Sequence, residues 1–222
     1  MSGLSLAIAA ELAGRVRLGV MVLEGVTVRE GDPKLAAEVD AHCAEVRGRY
    51  AGVPSGEVPG VGDARGLYKA LGIDPTKTRP SNEALLRRAL KGEALYRINT
   101  LVDALNLASL RSQLPFGLYD LAKVEPPVTL RRGAPGESLE GIRKGLVNVE
   151  SRPVLVDARG PFGNPTSDSA RTCITLGTTR PLVVAYAPAG CSDRRLGEVL
   201  DATEALLVRH CGGTRGLRFL AP

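Results

Sequence analysis

The stretch Tyr96–Ser112 (YRINTLVDALNLASLRS) most limits what this chain can fold into. Read at helical spacing, it is apolar nearly all round: Ile98, Leu101, Val102, Leu105, Ala108 and Leu110. A helix of this kind must be enclosed by other elements. Yet Asn99, Asp103 and Asn106 fall at i, i+4 and i+7 and form one polar stripe along it. Buried polar groups need partners. These three side chains therefore either tie down neighbouring loops or form one wall of a pocket.

The flanking segments supply the enclosure. Val16–Val28 (VRLGVMVLEGVTV) is rich in β-branched residues and predicts a buried strand. Asp32-Pro33 opens a helix with a capping carboxylate and a proline at its first position, and Leu35, Val39, Cys43, Val46 and Tyr50 keep helical spacing after it. Ala51–Gly62 reads as a Gly/Pro loop, and Asp63–Leu71 as a short helix stopped at Gly72. A further helix runs to Leu90 with Ser81 as its expected cap. Strands are expected at Gly117–Lys123, Val128–Arg132, Leu146–Glu150, Val154–Asp157, Thr172–Leu176 and Leu182–Tyr186, with a loop over Gly160–Ser169. Ser192 caps a last helix, Asp193–Cys211, and Leu217–Leu220 returns as a tail strand. Helices and strands mix without strict alternation. The fold class is therefore α+β, a mixed sheet packed against helices, with residues 1–222 as a single domain.

Composition narrows the function. No run of eighteen apolar residues occurs and the first residues lack the basic lead of a signal peptide, so a cytoplasmic protein without membrane contact is expected. Cys173, Cys191, His210 and Cys211 do not match a usual zinc spacing, and no metal or other cofactor is expected. His42 and His210 are the two histidines, each in a helix, which disfavours a triad mechanism. Phosphate-loop, dinucleotide and nucleophile-elbow motifs are missing. The net charge is +5, with the excess in residues 78–144, where 11 basic face 7 acidic groups. Such a surplus suits an anionic partner, although with 23 arginines to 6 lysines it also fits compositional drift. Gly160–Ser169 (GPFGNPTSDS) gathers short polar side chains and approachable backbone N–H groups, as an oxyanion site or an ordinary turn does. Arg79, Ser81 and Arg171 are candidates for a phosphate or carboxylate.

One segment points to a family. Val102-Asp103, Asn106 and, eight residues on, Pro115-Phe116-Gly117-Leu118-Tyr119-Asp120 resemble the tRNA-editing domain of the phenylalanyl-tRNA synthetase beta subunit, with its V-D-x-x-N and P-M-H-x-F-D. The resemblance continues through Val128–Arg132, Gly136-Glu137 and Leu155-Val156-Asp157, covering roughly residues 78–190. It implies that fold, and a hydrolase that removes wrongly attached amino acids from the 3′ end of tRNA. It places Asn106, Asp103 and Asp168 as catalytic residues and Asn99, Gly117, Asn164, Thr166, Ser167 and Ala185 against the substrate, with Arg79, Arg111 and Arg171 on tRNA phosphates. Gly117 stands where the family has a histidine, and Ala185 where it has the glutamate that reads a tyrosine hydroxyl, so tyrosine specificity is not expected. Tyr119 is expected in the core. The alternatives are a tRNA- or synthetase-binding module without catalysis, and a protein that binds or hydrolyses a small amino-acid derivative.

Overall fold

The computed structural model describes residues 4–222. Ten strands and five α-helices follow in chain order: β1 (Leu6–Ile8), β2 (Val16–Glu24), α1 (Pro33–Arg49), α2 (Val61–Ala70), α3 (Ser81–Leu90), α4 (Thr100–Ser112), β3 (Phe116–Asp120), β4 (Val128–Arg132), β5 (Ser138–Gly141), β6 (Gly145–Asn148), β7 (Pro153–Asp157), β8 (Gly160–Gly163), β9 (Pro181–Pro188), α5 (Asp193–Cys211) and β10 (Thr214–Ala221). One sheet has the order β10-β2-β9-β3 and is antiparallel throughout. The other has the order β1-β4-β7-β8, with β1 parallel to β4, and β5-β6 form a separate hairpin.

The central strand β2 explains the layering. Leu18, Val20 and Val22 face the second sheet and meet Leu130, Leu155 and Phe162 there, while Met21 and Leu23 face the helices. A strand buried on both sides needs no polar alternation. Gly19 lets α5 approach, since a Cβ there would lie 3.1 Å from both Leu196 and Leu200. The result is three layers: helices, antiparallel sheet, mixed sheet. The α+β architecture is as expected, and among the described residues no helix is long and apolar enough to cross a membrane.

Several boundaries differ from the sequence expectation. Helix α4 starts at Thr100, not Tyr96, because Asn99 is its N-cap and accepts from the Val102 N–H at 3.0 Å. Ser81 lies inside α3, whose cap is Pro80 with no side-chain bond. A 3-10 turn at Ser55–Glu57 and the first residues of α2 replace much of the Ala51–Gly62 loop. Gly160–Gly163 is strand, paired with β7. Thr172–Leu176 is not: Ala170–Thr172 form a 3-10 turn capped by Ser169. The short β1 and β5 carry too few residues for a pattern to show.

Tyr119 is fully buried between the sheets, its ring edge-on to Phe162 with centroids 4.9 Å apart. Room for it comes from two glycines on facing edge strands: a Cβ at Gly117 or Gly163 would collide with its ring and hydroxyl. Gly117→Ala and Gly163→Ala should each lower stability by about 1–3 kcal/mol in urea unfolding, the usual cost of overpacking. Gly66→Ala, in α2 with open space around its Cα, should be neutral or stabilising by about 0.5–1 kcal/mol.

Candidate active site

A cavity of about 610 Å³ opens where α4, β3 and the residues after β8 meet. Its apolar wall is Leu85, Val102, Leu105, Phe116, Leu118 and Ile174. The polar part comes from Ser81, Asn99, Asn106, Ser109 and the run Asn164–Asp168, and Ile142 and Arg143 at the turn of the β5-β6 hairpin reach over it. Of the expected site residues, Asn99, Asn106, Asn164, Thr166, Ser167 and Asp168 are thus brought together around one cavity.

Their roles separate on inspection. The Asn164 carboxamide oxygen accepts from the Thr166 and Ser167 N–H groups, both at 2.8 Å, closing an Asx turn. These N–H groups, expected as oxyanion donors, are therefore already engaged. Thr166 Oγ1 lies 3.1 Å from the Tyr68 hydroxyl, which also donates to the Pro165 carbonyl at 2.8 Å, so α2 fixes this turn from behind. Asn106 is half-buried, and its carboxamide makes no hydrogen bond among the described residues. The Ser81 hydroxyl is shielded and likewise lacks a partner.

Five expected site residues lie elsewhere. Asp103 turns back to accept from the Ile98 N–H at 2.9 Å, so it secures the start of α4 and is not on the cavity wall. Burial pushes its carboxyl pKa up, against the stabilising bond from Ile98. Gly117 does not line the cavity; it makes space for Tyr119. Ala185 shares the sheet face of Phe116, its partner across the ladder, but it is covered by α5 in a cluster with Leu114, Leu196, Val199 and Leu200 and does not line the cavity. Arg111 pairs with Glu38 at 3.0 Å, and Arg171 holds Asp157 through two contacts of 2.9 Å, so neither is free for phosphate. Arg79 remains near the mouth, 3.7 Å from the buried Glu83.

What sequence reading missed is a groove beside the cavity. Arg79, Arg87, Arg88, Lys91 and Lys144 line it with Tyr96, and it shares Ser81, Leu85, Asn106 and Thr166 with the cavity. Glu93 lines it too, pairing with Arg88 at 3.2 Å and Lys91 at 3.7 Å. Tyr96 is 59% exposed, with the Arg88 guanidinium 4.3 Å over its ring. Among the described residues Arg87, Arg143 and Lys144 have no carboxylate partner. The signal was the charge surplus in residues 78–144, which gave the region without the face. His210 pairs with Glu38 at 2.9 Å and His42 with Glu45 at 3.2 Å, both remote from the cavity.

A family model described as the B3/4 domain matches residues 63–209. The chain belongs to the B3/4 domain family. The phenylalanine–tRNA ligase beta subunit of Chromobacterium violaceum is 27% identical over 93 residues, which are 42% of this chain and 12% of that subunit. An N-terminal fragment of the Pyrococcus horikoshii phenylalanyl-tRNA synthetase beta subunit superposes on 100% of the chain and 55% of the fragment, with a TM-score of 0.51 and 12% identity. The chain therefore shares the fold of that fragment and spans a small part of the bacterial subunit.

Within this B3/4 domain Asp168 is the most perturbed group on the cavity. The residue is half-buried, but its Oδ1 is shielded and unpartnered. Burial pushes its carboxyl up to about 7, opposed by the Tyr119 phenol and by the charge of Lys144. The folded chain then keeps this proton to near neutrality, whereas the unfolded chain loses it near pH 4. Stability should fall as pH rises between those values. Asp168→Asn should accordingly exceed the wild type in thermal or urea unfolding above pH 7, by an amount on the order of 1–3 kcal/mol, with the gap closing toward pH 4.

Proposed function

We propose that this B3/4 domain hydrolyses the ester linking an amino acid to the 3′ end of tRNA, acting in trans on mischarged aminoacyl-tRNA in the cytoplasm. The observation that carries this reading is the basic groove with exposed Tyr96 running into the cavity and sharing Asn106 and Thr166 with it. Phosphates of a single-stranded end suit Arg87 and Lys144, which no carboxylate answers among the described residues, and a base suits the face of Tyr96 away from Arg88. The ester then lies at the shared wall, with the amino-acid side chain toward Leu105, Phe116 and Leu118.

The chemistry asks little of the protein. An aminoacyl ester is already activated, so holding it against an ordered water removes much of the barrier. The free carboxamide of Asn106 is the group placed to orient that water or to donate to the developing oxyanion. Among the cavity-lining residues Asp168 is the one carboxylate, so no other acid there repels the neighbouring phosphates.

The test is a deacylation panel of tRNAs, each charged with a noncognate amino acid. At least one should be hydrolysed well above its spontaneous rate, and Asn106→Ala should slow that reaction about ten- to a hundredfold. Hydrolysis of none would overturn the enzyme reading and leave a tRNA-binding module. Arg87→Ala and Lys144→Ala should each weaken tRNA binding and reduce the slope of log Kd against log salt by about one. Unchanged slopes in both would place the RNA on another face.

A further inference from the structure

We propose that Asp168 receives the ammonium group of the ligand, so that the cavity selects a primary amine attached to an apolar body. This deepens the deacylase reading and rests on it only for the carrier: there, the amine is the α-ammonium of the aminoacyl group.

The other buried carboxylates show what is missing. Glu83 is held by Arg65 at 2.7 and 2.8 Å, Asp157 by Arg171, Asp120 by Thr178 at 3.0 Å, and Asp103 by the Ile98 N–H. Asp168 alone among them keeps a shielded oxygen with no partner. The titratable and charged groups around it are the phenols of Tyr119, Tyr186 and Tyr68 from β3, β9 and α2, and Lys144 and Arg143 from the hairpin turn. No cation comes within ion-pair distance among the described residues. A shielded carboxyl without a cation either holds a proton or takes a charged donor from a ligand.

The shape of the site selects the donor. Leu85, Val102, Leu105, Phe116, Leu118 and Ile174 give the remaining wall no second acid, so a dication or a long diamine finds no counter-charge. Among the described residues no three His, Cys, Asp or Glu side chains gather around a point, which argues against a metal. A compact ammonium on a mainly apolar body satisfies both parts at once. Its arrival displaces the proton that burial holds on Asp168.

The experiment is calorimetry on the full chain with leucinamide and phenylalaninamide, each against its des-amino analogue, 4-methylpentanamide and 3-phenylpropanamide. At least one amine should bind tenfold or more tightly than its analogue at pH 7, with proton release seen by comparing buffers of different ionisation enthalpy. Asp168→Asn, which should fold at least as well as wild type, should abolish both the preference and the release. Equal binding of amine and analogue, unchanged amine binding by Asp168→Asn, or no binding of either amide at millimolar concentration would overturn the inference. Amine-selective binding with a failed deacylation panel leaves the inference standing and removes the tRNA carrier. Deacylation undisturbed by Asp168→Asn does the reverse.

Discussion

The contact of Tyr119 with Phe162 across the two sheets is the constraint on which the site depends. β3 is the edge of the antiparallel sheet and β8 the edge of the mixed one, and the Tyr119 ring joins them over two glycines. The site turn follows β8 directly, so the same contact sets where Asn164–Asp168 stand relative to Phe116 and Leu118. Alternation along β3 does the rest. Gly117 and Tyr119 point between the sheets, while Phe116 and Leu118 point into the cavity. Tyr68 adds a second tie through the Pro165 carbonyl, which makes the turn part of the core packing instead of a free loop.

Charge is organised by the same economy of partners. Most arginines answer a nearby carboxylate: Arg65 with Glu83, Arg131 with Glu137, Arg171 with Asp157, Arg180 with Glu24. The exposed pairs, such as Arg180 with Glu24, contribute about 0–1 kcal/mol each. Their larger effect is to cancel potential locally, whereas Arg87, Arg143 and Lys144 beside the groove and cavity have no carboxylate partner among the described residues. A net +5 spread evenly would steer little; unpaired cations such as Arg87, Arg143 and Lys144 beside one cavity mouth give an anionic chain a direction of approach.

Much of the fold was legible because its signals are local. Asp32-Pro33 and Ser192 cap α1 and α5 through their own side chains, and both helices were read from those residues. The apolar runs of β2 and β9 are long enough to be unambiguous. The failures come where one residue answers to something distant or chooses between two local options. Asn99 and Asp103 fit a helical stripe equally well as members or as caps, and the hydrogen bonds to Val102 and Ile98 decide for capping. Arg111 is claimed by Glu38 and Arg171 by Asp157, choices that no spacing rule contains. Ala185 and Gly117 were placed by resemblance, which aligns positions along a strand without fixing the environment around each one. Gly117 is one residue from the wall positions Phe116 and Leu118 and so faces between the sheets, whereas Ala185 shares the face of Phe116 but lies under α5.

The polar rim of the cavity shows why the site is both a weakness in the fold and a means of recognition. Asn106 and Ser81 leave hydrogen-bonding capacity unmet, and Asp168 leaves a carboxyl without a cation. In a closed core each would cost about 1–3 kcal/mol, more for the charged form. Asn106 borders a space that admits solvent or a ligand, so its cost is partly relieved in the empty state. The relief is smaller for Asp168, which lines the cavity but whose Oδ1 is shielded and backed by three phenols. Shielding works in both directions: it raises the pKa of the free carboxyl, and it strengthens the attraction to a cation that replaces the proton. The group least comfortable in the empty fold is therefore the one with most to gain from an ammonium.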